Sequence, residues 1–225
     1  MAGKMYRSIQ SAAPQEAVGI EKAVTFLKEH ARKSFNETIE IHVRLGVDAG
    51  KSDQIVRGNV TLPSGSVKQK RVAVFTSDEA ESKAAKEAGA SLVGGQELID
   101  QIAKEGKLDA DVAVASPEMM PKIAKVARVL GPQGLMPNPK TGTVNPKPSE
   151  AVKDLLAGKI SFKMDSTGNV HEAVGKADWE DGKIIANVSA LLEAIRASRP
   201  STAKGEFIKK ITLSSTMGVG IKIAS

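Results

Sequence analysis

The chain has 225 residues, of which 41% are hydrophobic and 26% are charged, and it contains no cysteine. This composition excludes a disordered chain, and the missing cysteines exclude disulfides, zinc knuckles, cysteine nucleophiles and iron–sulfur clusters. The net charge of +6 favours a polyanionic partner. The apolar runs are far shorter than the roughly 20 residues of a membrane helix, and the first residues lack the apolar core of a secretory signal, so we expect a cytoplasmic protein with no membrane partner.

The first third of the sequence predicts a helix followed by strands. Apolar residues at three- and four-residue spacing predict a helix over residues 19–33. Strict alternation in residues 37–45 predicts a strand with one buried and one wet face, which is typical of antiparallel sheets. Residues 57–62 predict a second strand, and the turn-rich residues 63–66 that close it form either a turn or a linker.

The middle of the sequence has a different pattern, because short apolar strands alternate with helices. The predicted strands are 72–75, 91–93 and 111–115, and the predicted helices are 78–88, 96–104 and 117–129. This order is typical of βαβ units around a parallel sheet. After a segment at 151–157, alternating strands return at 160–163, 170–174, 207–214 and 219–223, with one long helix over 181–198.

The simplest fold class for this pattern combines α/β and α+β in two domains. A discontinuous antiparallel-sheet α+β domain, residues 1–67 and 160–225, is interrupted by a small Rossmann-like βαβ domain, residues 68–159. Two consecutive domains remain the alternative. Residues 131–148 hold five prolines and three glycines, which predicts an ordered loop without regular structure.

The sequence contains few patterns that are typical of enzymes. The run GVDAGKS at 46–52 has three residues between its glycines where a phosphate-binding loop needs four, and no dinucleotide fingerprint follows strand 72–75. His30 lies on the polar side of its helix, and His42 lies on the wet strand face between Glu40 and Arg44. Asp165 and His171 form either a dyad or a plain turn with a strand-edge histidine. We therefore predict no catalytic residue, metal or cofactor, and keep an α/β enzyme with a nucleotide or phosphate ligand as the alternative.

Nucleic acid is the favoured partner. Aromatic residues make up only 3% of the chain, so a sheet of base-stacking platforms cannot be built, and contacts to phosphate, sugar and backbone are expected. Phe35, in polar surroundings, is either an RNA contact or a staple beneath the helix. The run SSTMGVG at 214–220 either lets a backbone approach a ribose hydroxyl or forms a hairpin turn. Residues 119–149 contain no acidic residue, so their cations form either a weak nucleic-acid contact or a solvated face.

Several motifs in the sequence resemble those of a known protein family. The chain contains LGPQGLMPNPKTGTV at 130–144, KSFNETIE at 33–40, SDQIVRG at 52–58, GASLVGG at 89–95, DSTG at 165–168, His171, VGK at 174–176 and STMG at 215–218. In this order they resemble the bacterial form of the universal large-subunit ribosomal protein family "L one", whose members belong to the mobile lateral stalk. The resemblance implies the interrupted two-domain fold described above.

The resemblance also implies function. It implies a non-catalytic protein, monomeric outside the ribosome, that binds stalk rRNA, assists release of deacylated tRNA from the exit site and represses translation through its own mRNA leader. The RNA-binding residues carried over are Lys33, Phe35, Thr38, Glu40, Asp165, Thr167, Gly168, Thr216, Met217 and Gly218. Weaker candidates to face tRNA are Lys122, Lys125, Arg128, Lys140 and Lys147.

Overall fold

A computed structural model describes residues 4–32, 34–68, 70–203 and 205–224. In chain order, the helices and strands are α1 Lys4–Ala12, α2 Ile20–Glu29, β1 Thr38–Leu45, β2 Arg57–Thr61, β3 Val72–Phe75, α3 Glu79–Glu87, β4 Leu92–Gly94, α4 Gln96–Glu105, β5 Val112–Ala115, α5 Met120–Ile123, α6 Ala127–Leu130, α7 Pro148–Leu156, β6 Lys159–Lys163, β7 Asn169–Lys176, α8 Asp181–Ala197, β8 Ile208–Ser215 and β9 Ile221–Ile223. They form two compact units: unit 1 is Met1–Val67 with Ile160–Ser225, and unit 2 is Lys68–Lys159.

Unit 1 is built on a four-stranded sheet with the order β7-β1-β8-β9. Each neighbouring pair is antiparallel, as the alternating pattern predicts. The odd-numbered residues Ile39, Ile41 and Val43 of β1 are fully buried in a core shared with α2 and α8. Each such aliphatic side chain contributes roughly 1.5 to 3 kcal/mol by leaving water. The even-numbered residues lie on the opposite face of the sheet, which is therefore the polar one.

Unit 2 is built on a parallel sheet with the order β4-β3-β5. All four residues of β3 are fully buried, which explains why this strand has no polar alternation. The mixture of antiparallel and parallel sheets confirms the predicted fold class. The proline-rich loop is ordered, since the N–H of Ala115 donates to Thr143 O at 2.9 Å and the N–H of Asn145 donates to Ala115 O at 3.1 Å.

Two elements differ from the prediction. The helix predicted over 117–129 is instead a series of short α and 3-10 turns that ends at Leu130. Pro121 lies within this segment and has no N–H to donate, and the N–H of Met120 bonds Pro117 O three residues back. Helix α1 was not predicted, because its nine residues contain few apolar side chains; among those described, Ile9 is buried in the core.

Candidate nucleic-acid interface

The turn after β8 is fastened to the first residue of β1. The N–H of Thr216 donates to Thr38 O at 3.0 Å, and the N–H of Thr38 donates to Thr216 Oγ1 at the same distance. The Thr216 hydroxyl donates to Thr38 O at 3.3 Å. The hydrogen of this hydroxyl is therefore used within the protein, and towards a ribose the hydroxyl is left to act as a hydrogen-bond acceptor. A Cβ on Gly218 would lie 2.3 Å from Ser215 Oγ, so the tight turn favours glycine there.

The carboxyl group of Glu37 joins this turn to the start of β1. Its side chain is only 1% exposed. Oε1 accepts from the N–H of Arg32 at 3.0 Å, and Oε2 accepts from the N–H of Met217 at 3.4 Å. The carbonyl of Glu37 also accepts from the N–H of Ala177 at 2.9 Å, beyond the end of β7. Glu37 thus holds three segments together from beneath the polar surface.

Glu37 is missing from the sequence-based site, although the sequence contains a signal for it. It has the same odd parity as Ile39 and Ile41, so the alternation of β1 places it on the buried side. A carboxyl group on that side requires buried N–H partners. Finding those partners requires the fold, because Met217 is 180 residues away along the chain.

Two large apolar side chains are exposed on the segments that Glu37 joins. Phe35 is 44% exposed and Met217 is 43% exposed. This exposure leaves part of each side chain accessible to a partner. Apolar side chains displayed beside polar groups can pack against bases and sugars when RNA covers them. Lys33, predicted beside them, lies outside the described residues.

The predicted residues Asp165, Thr167 and Gly168 form a self-contained turn before β7. Asp165 Oδ1 accepts from the N–H of Asn169 at 2.7 Å and of Thr167 at 2.9 Å, and Oδ2 accepts from the Thr167 hydroxyl at 2.7 Å. These donors, the Asn169 N–H foremost, hold the pKa of Asp165 well below its usual range. Gly168 has φ +84°, which favours glycine, and its carbonyl accepts from the N–H of Leu45 at 2.8 Å.

The predicted RNA-binding residues therefore form two groups rather than one. Thr38, Glu40 and the turn 216–218 lie near the start of β1, whereas the turn 165–168 contacts Leu45 at its end. At a rise of about 3.3 Å per residue, roughly 23 Å of strand lies between Thr38 and Leu45, and roughly 16 Å lies between Glu40 and Leu45. Between them lie the half-buried His42 and the exposed Arg44 on the polar face. The candidate surface is thus an elongated strip that can follow several nucleotides.

The cations predicted to face tRNA lie in unit 2. Lys122, Lys125 and Arg128 are exposed, and they alternate with the buried residues Ile123, Val126 and Leu130. Lys147 Nζ lies 3.3 Å from Glu150 Oε1, so part of its charge is neutralised. Lys140 lies in the turn Pro139–Thr141. The first three cations therefore form one basic face, and the roles predicted for all five stay predictions.

Within residues 4–32, 34–68, 70–203 and 205–224, no helix has the length and apolarity needed to cross a membrane. In the same ranges, no three histidine or acidic side chains are grouped in a way that could hold a metal ion.

The chain is similar in sequence to one protein family and to named proteins of other organisms. The model of the Ribosomal protein L1p/L10e family matches residues 27–219. The protein called "Large ribosomal subunit protein uL1" of Burkholderia vietnamiensis is 46% identical over 209 residues, which cover 93% of this chain and 89% of the relative. The protein of the same name from Burkholderia multivorans matches to the same extent. The family match spans the β1 strand, the turn 165–168 and the turn 216–218, and its members are ribosomal proteins rather than enzymes. The chain belongs to the Ribosomal protein L1p/L10e family.

Proposed function

We propose that this chain is a large-subunit ribosomal protein of the cytoplasm that binds rRNA of the lateral stalk through the polar face and turns of unit 1. The observation that carries the proposal is the exposure of Phe35 and Met217 on segments clamped by the buried Glu37. A buried clamp fixes the backbone segments that carry these side chains before RNA arrives, which lowers the entropic cost of binding. Family membership supports RNA as the partner.

The chemistry of the strip fits RNA better than DNA. Glu40 pairs with Ser214 across the sheet, and both are half-buried on the polar face. A carboxylate repels phosphate, but it accepts from a ribose 2′-hydroxyl or a guanine amine, and a hydroxyl can both donate to and accept from a ribose. The phosphates would be contacted by Arg44 and Lys210, which pair across the sheet and are exposed.

Binding of the full chain to transcripts tests this function. A stalk rRNA transcript should bind at least tenfold more tightly than an unrelated transcript of equal length. Its affinity should fall at least tenfold between 50 and 200 mM salt, because phosphate contacts release counterions. The chain's own mRNA leader should compete for the same surface, as the proposed translational repression requires. Equal affinity for stalk and unrelated transcripts would contradict a specific rRNA-binding role.

Unit 2 supports a second step of the proposed function, the release of deacylated tRNA from the exit site. Lys122, Lys125 and Arg128 are exposed and offer positive charge to the phosphates of the tRNA backbone. Changing all three to glutamine should leave stalk affinity within about threefold of the original, because the stalk contacts belong to unit 1, and should slow tRNA departure from assembled ribosomes.

A matched control removes the same charge elsewhere in unit 2. Lys83 and Lys86 on α3 and Lys104 on α4 are also exposed, so changing them to glutamine has the same effect on net charge. This control should leave tRNA departure unaltered. If the Lys122, Lys125 and Arg128 variant releases tRNA at the same rate as the control, these cations are a solvated face with no partner.

A further inference from the structure

Two histidines from strands distant in the sequence meet on the polar face of the unit 1 sheet. His42 on β1 is directly opposite His171 on β7, and their Nδ1 atoms are 2.8 Å apart. The rings meet edge to face, with centroids 4.9 Å apart. His42 Nε2 lies 2.9 Å from Ser214 Oγ on β8, and His171 Nε2 lies 3.5 Å from Asp165 Oδ2. The pair thus contacts Asp165 of one predicted group and Ser214, which lies across the sheet from Glu40 of the other group.

The contact between the two Nδ1 atoms limits how many protons the pair can hold. A hydrogen bond between them needs one protonated and one bare nitrogen. The contact is therefore compatible with two neutral rings or with one cationic ring. When both rings are cationic, both Nδ1 atoms carry hydrogen and repel each other, so the contact must open.

The surroundings of the pair are close to electrical balance. The charged groups that face it are Glu40 and Arg44 on β1, Asp165 before β7, Lys210 on β8 and Lys222 on β9. Burial, followed by the charge of His171, lowers the pKa of His42, while Glu40 acts in the opposite direction. His42 is therefore mainly neutral at neutral pH in the free protein. A polyanion bound to this face favours the cationic form of the rings over the neutral form, because its negative charge stabilises the cations.

We propose that the His42–His171 pair is an RNA phosphate contact that takes up a proton when RNA binds. This inference rests on the proposed rRNA-binding function and adds a regulated contact to the same strip. In the free protein, the two rings satisfy each other through Nδ1. Under RNA, each Nδ1–H turns to a phosphate oxygen instead, with the second ring nitrogens still near Ser214 and Asp165.

The sign of the pH effect follows from linkage. RNA favours the protonated pair, so the histidine pKa is higher in the complex than in the free protein. Protons are taken up at pH values between those two pKa values. Affinity therefore rises as pH falls through this window and is constant above it. One proton taken up per complex gives at most about tenfold in affinity per pH unit.

Affinity measured across pH with matched variants tests the inference. The full chain and the stalk transcript are titrated from pH 8.0 to 5.5 at fixed ionic strength. We expect the original chain to bind about tenfold more tightly at pH 5.5 than at pH 8.0, and His42→Gln to change by less than about threefold. His30→Gln is the control, since His30 follows α2, stacks on Phe26 and lies off the sheet face. The control should behave as the original chain does, and RNA groups that titrate contribute equally to all three proteins.

Imidazole NMR signals of the unaltered chain give a second readout that does not depend on a variant folding. The pKa of His42 should rise when the stalk transcript binds. Parallel pH profiles for the original chain and His42→Gln, or an unmoved His42 pKa in the complex, would overturn the inference. Failure of the transcript to bind specifically at any pH would overturn the proposed function instead, so the two failures are distinguishable.

Discussion

Replacing Glu37 by alanine is expected to lower the free energy of unfolding of unit 1 by roughly 2 to 4 kcal/mol. The change leaves the N–H groups of Arg32 and Met217 without their buried acceptor and opens a cavity beneath the turn 216–218. The same change frees Phe35 and Met217 to move, so RNA affinity should fall as well. Urea unfolding monitored by fluorescence measures the first effect. Trp179, the only tryptophan of the chain, packs against the core of unit 1, so its signal reports on that unit.

Two control variants separate the clamp from general effects of charge. Glu37→Gln keeps one acceptor oxygen and should cost less, about 1 kcal/mol. Glu29→Ala removes an exposed acidic residue from α2 and should change stability by no more than about 0.5 kcal/mol. If Glu37→Ala is no more destabilising than Glu29→Ala, the carboxyl group does not hold these segments together.

Phe35→Ala is expected to weaken binding of the stalk transcript while leaving the fold intact. Stacking of an aromatic ring on RNA is worth roughly 1 to 3 kcal/mol, which is about five- to 150-fold in affinity. The side chain is already 44% exposed, so its removal should change the free energy of unfolding by less than about 0.5 kcal/mol. Filter binding at fixed salt and urea unfolding of the same sample measure the two effects. Met217→Ala should act in the same direction.

Leu156→Ala is the matched control, because Leu156 is an apolar side chain of unit 2 with a similar exposure of 43%. It should leave RNA affinity unchanged. A Phe35→Ala protein that binds normally and unfolds more easily would make Phe35 a structural residue, as the alternative of a helix staple requires.

The elements that could be predicted from sequence are those that local periodicity determines. The alternation of residues 37–45 predicts β1 almost to its ends, and the apolar run at 72–75 matches β3. The prediction of one helix over 117–129 is wrong, because an apolar pattern with a period near 3.6 also suits a mixture of α and 3-10 turns. In that segment, the missing N–H of Pro121 acts against one continuous helix.

The candidate site was harder to predict, because its geometry depends on pairing across the sheet. The sequence places His42 on a wet face, yet only the register of β1 against β7 brings His171 within hydrogen-bonding distance. The residues carried over from the family gave no sign that they form two groups at opposite ends of β1. Nor did the motif STMG reveal that the Thr216 hydroxyl is bound to Thr38 rather than directed only to a ligand.

The position of β1 between two late strands also affects when the protein can act. His171 and Ser214, whose side chains contact His42, are 129 and 172 residues from it in the sequence. All strands of the parallel sheet lie within residues 68–159, so that unit can fold while translation continues. The buried face of β1, in contrast, has to wait for β8 to emerge before its sheet is complete. An unfinished chain therefore presents no assembled RNA surface, so the proposed repression of its own messenger would be carried out only by completed molecules.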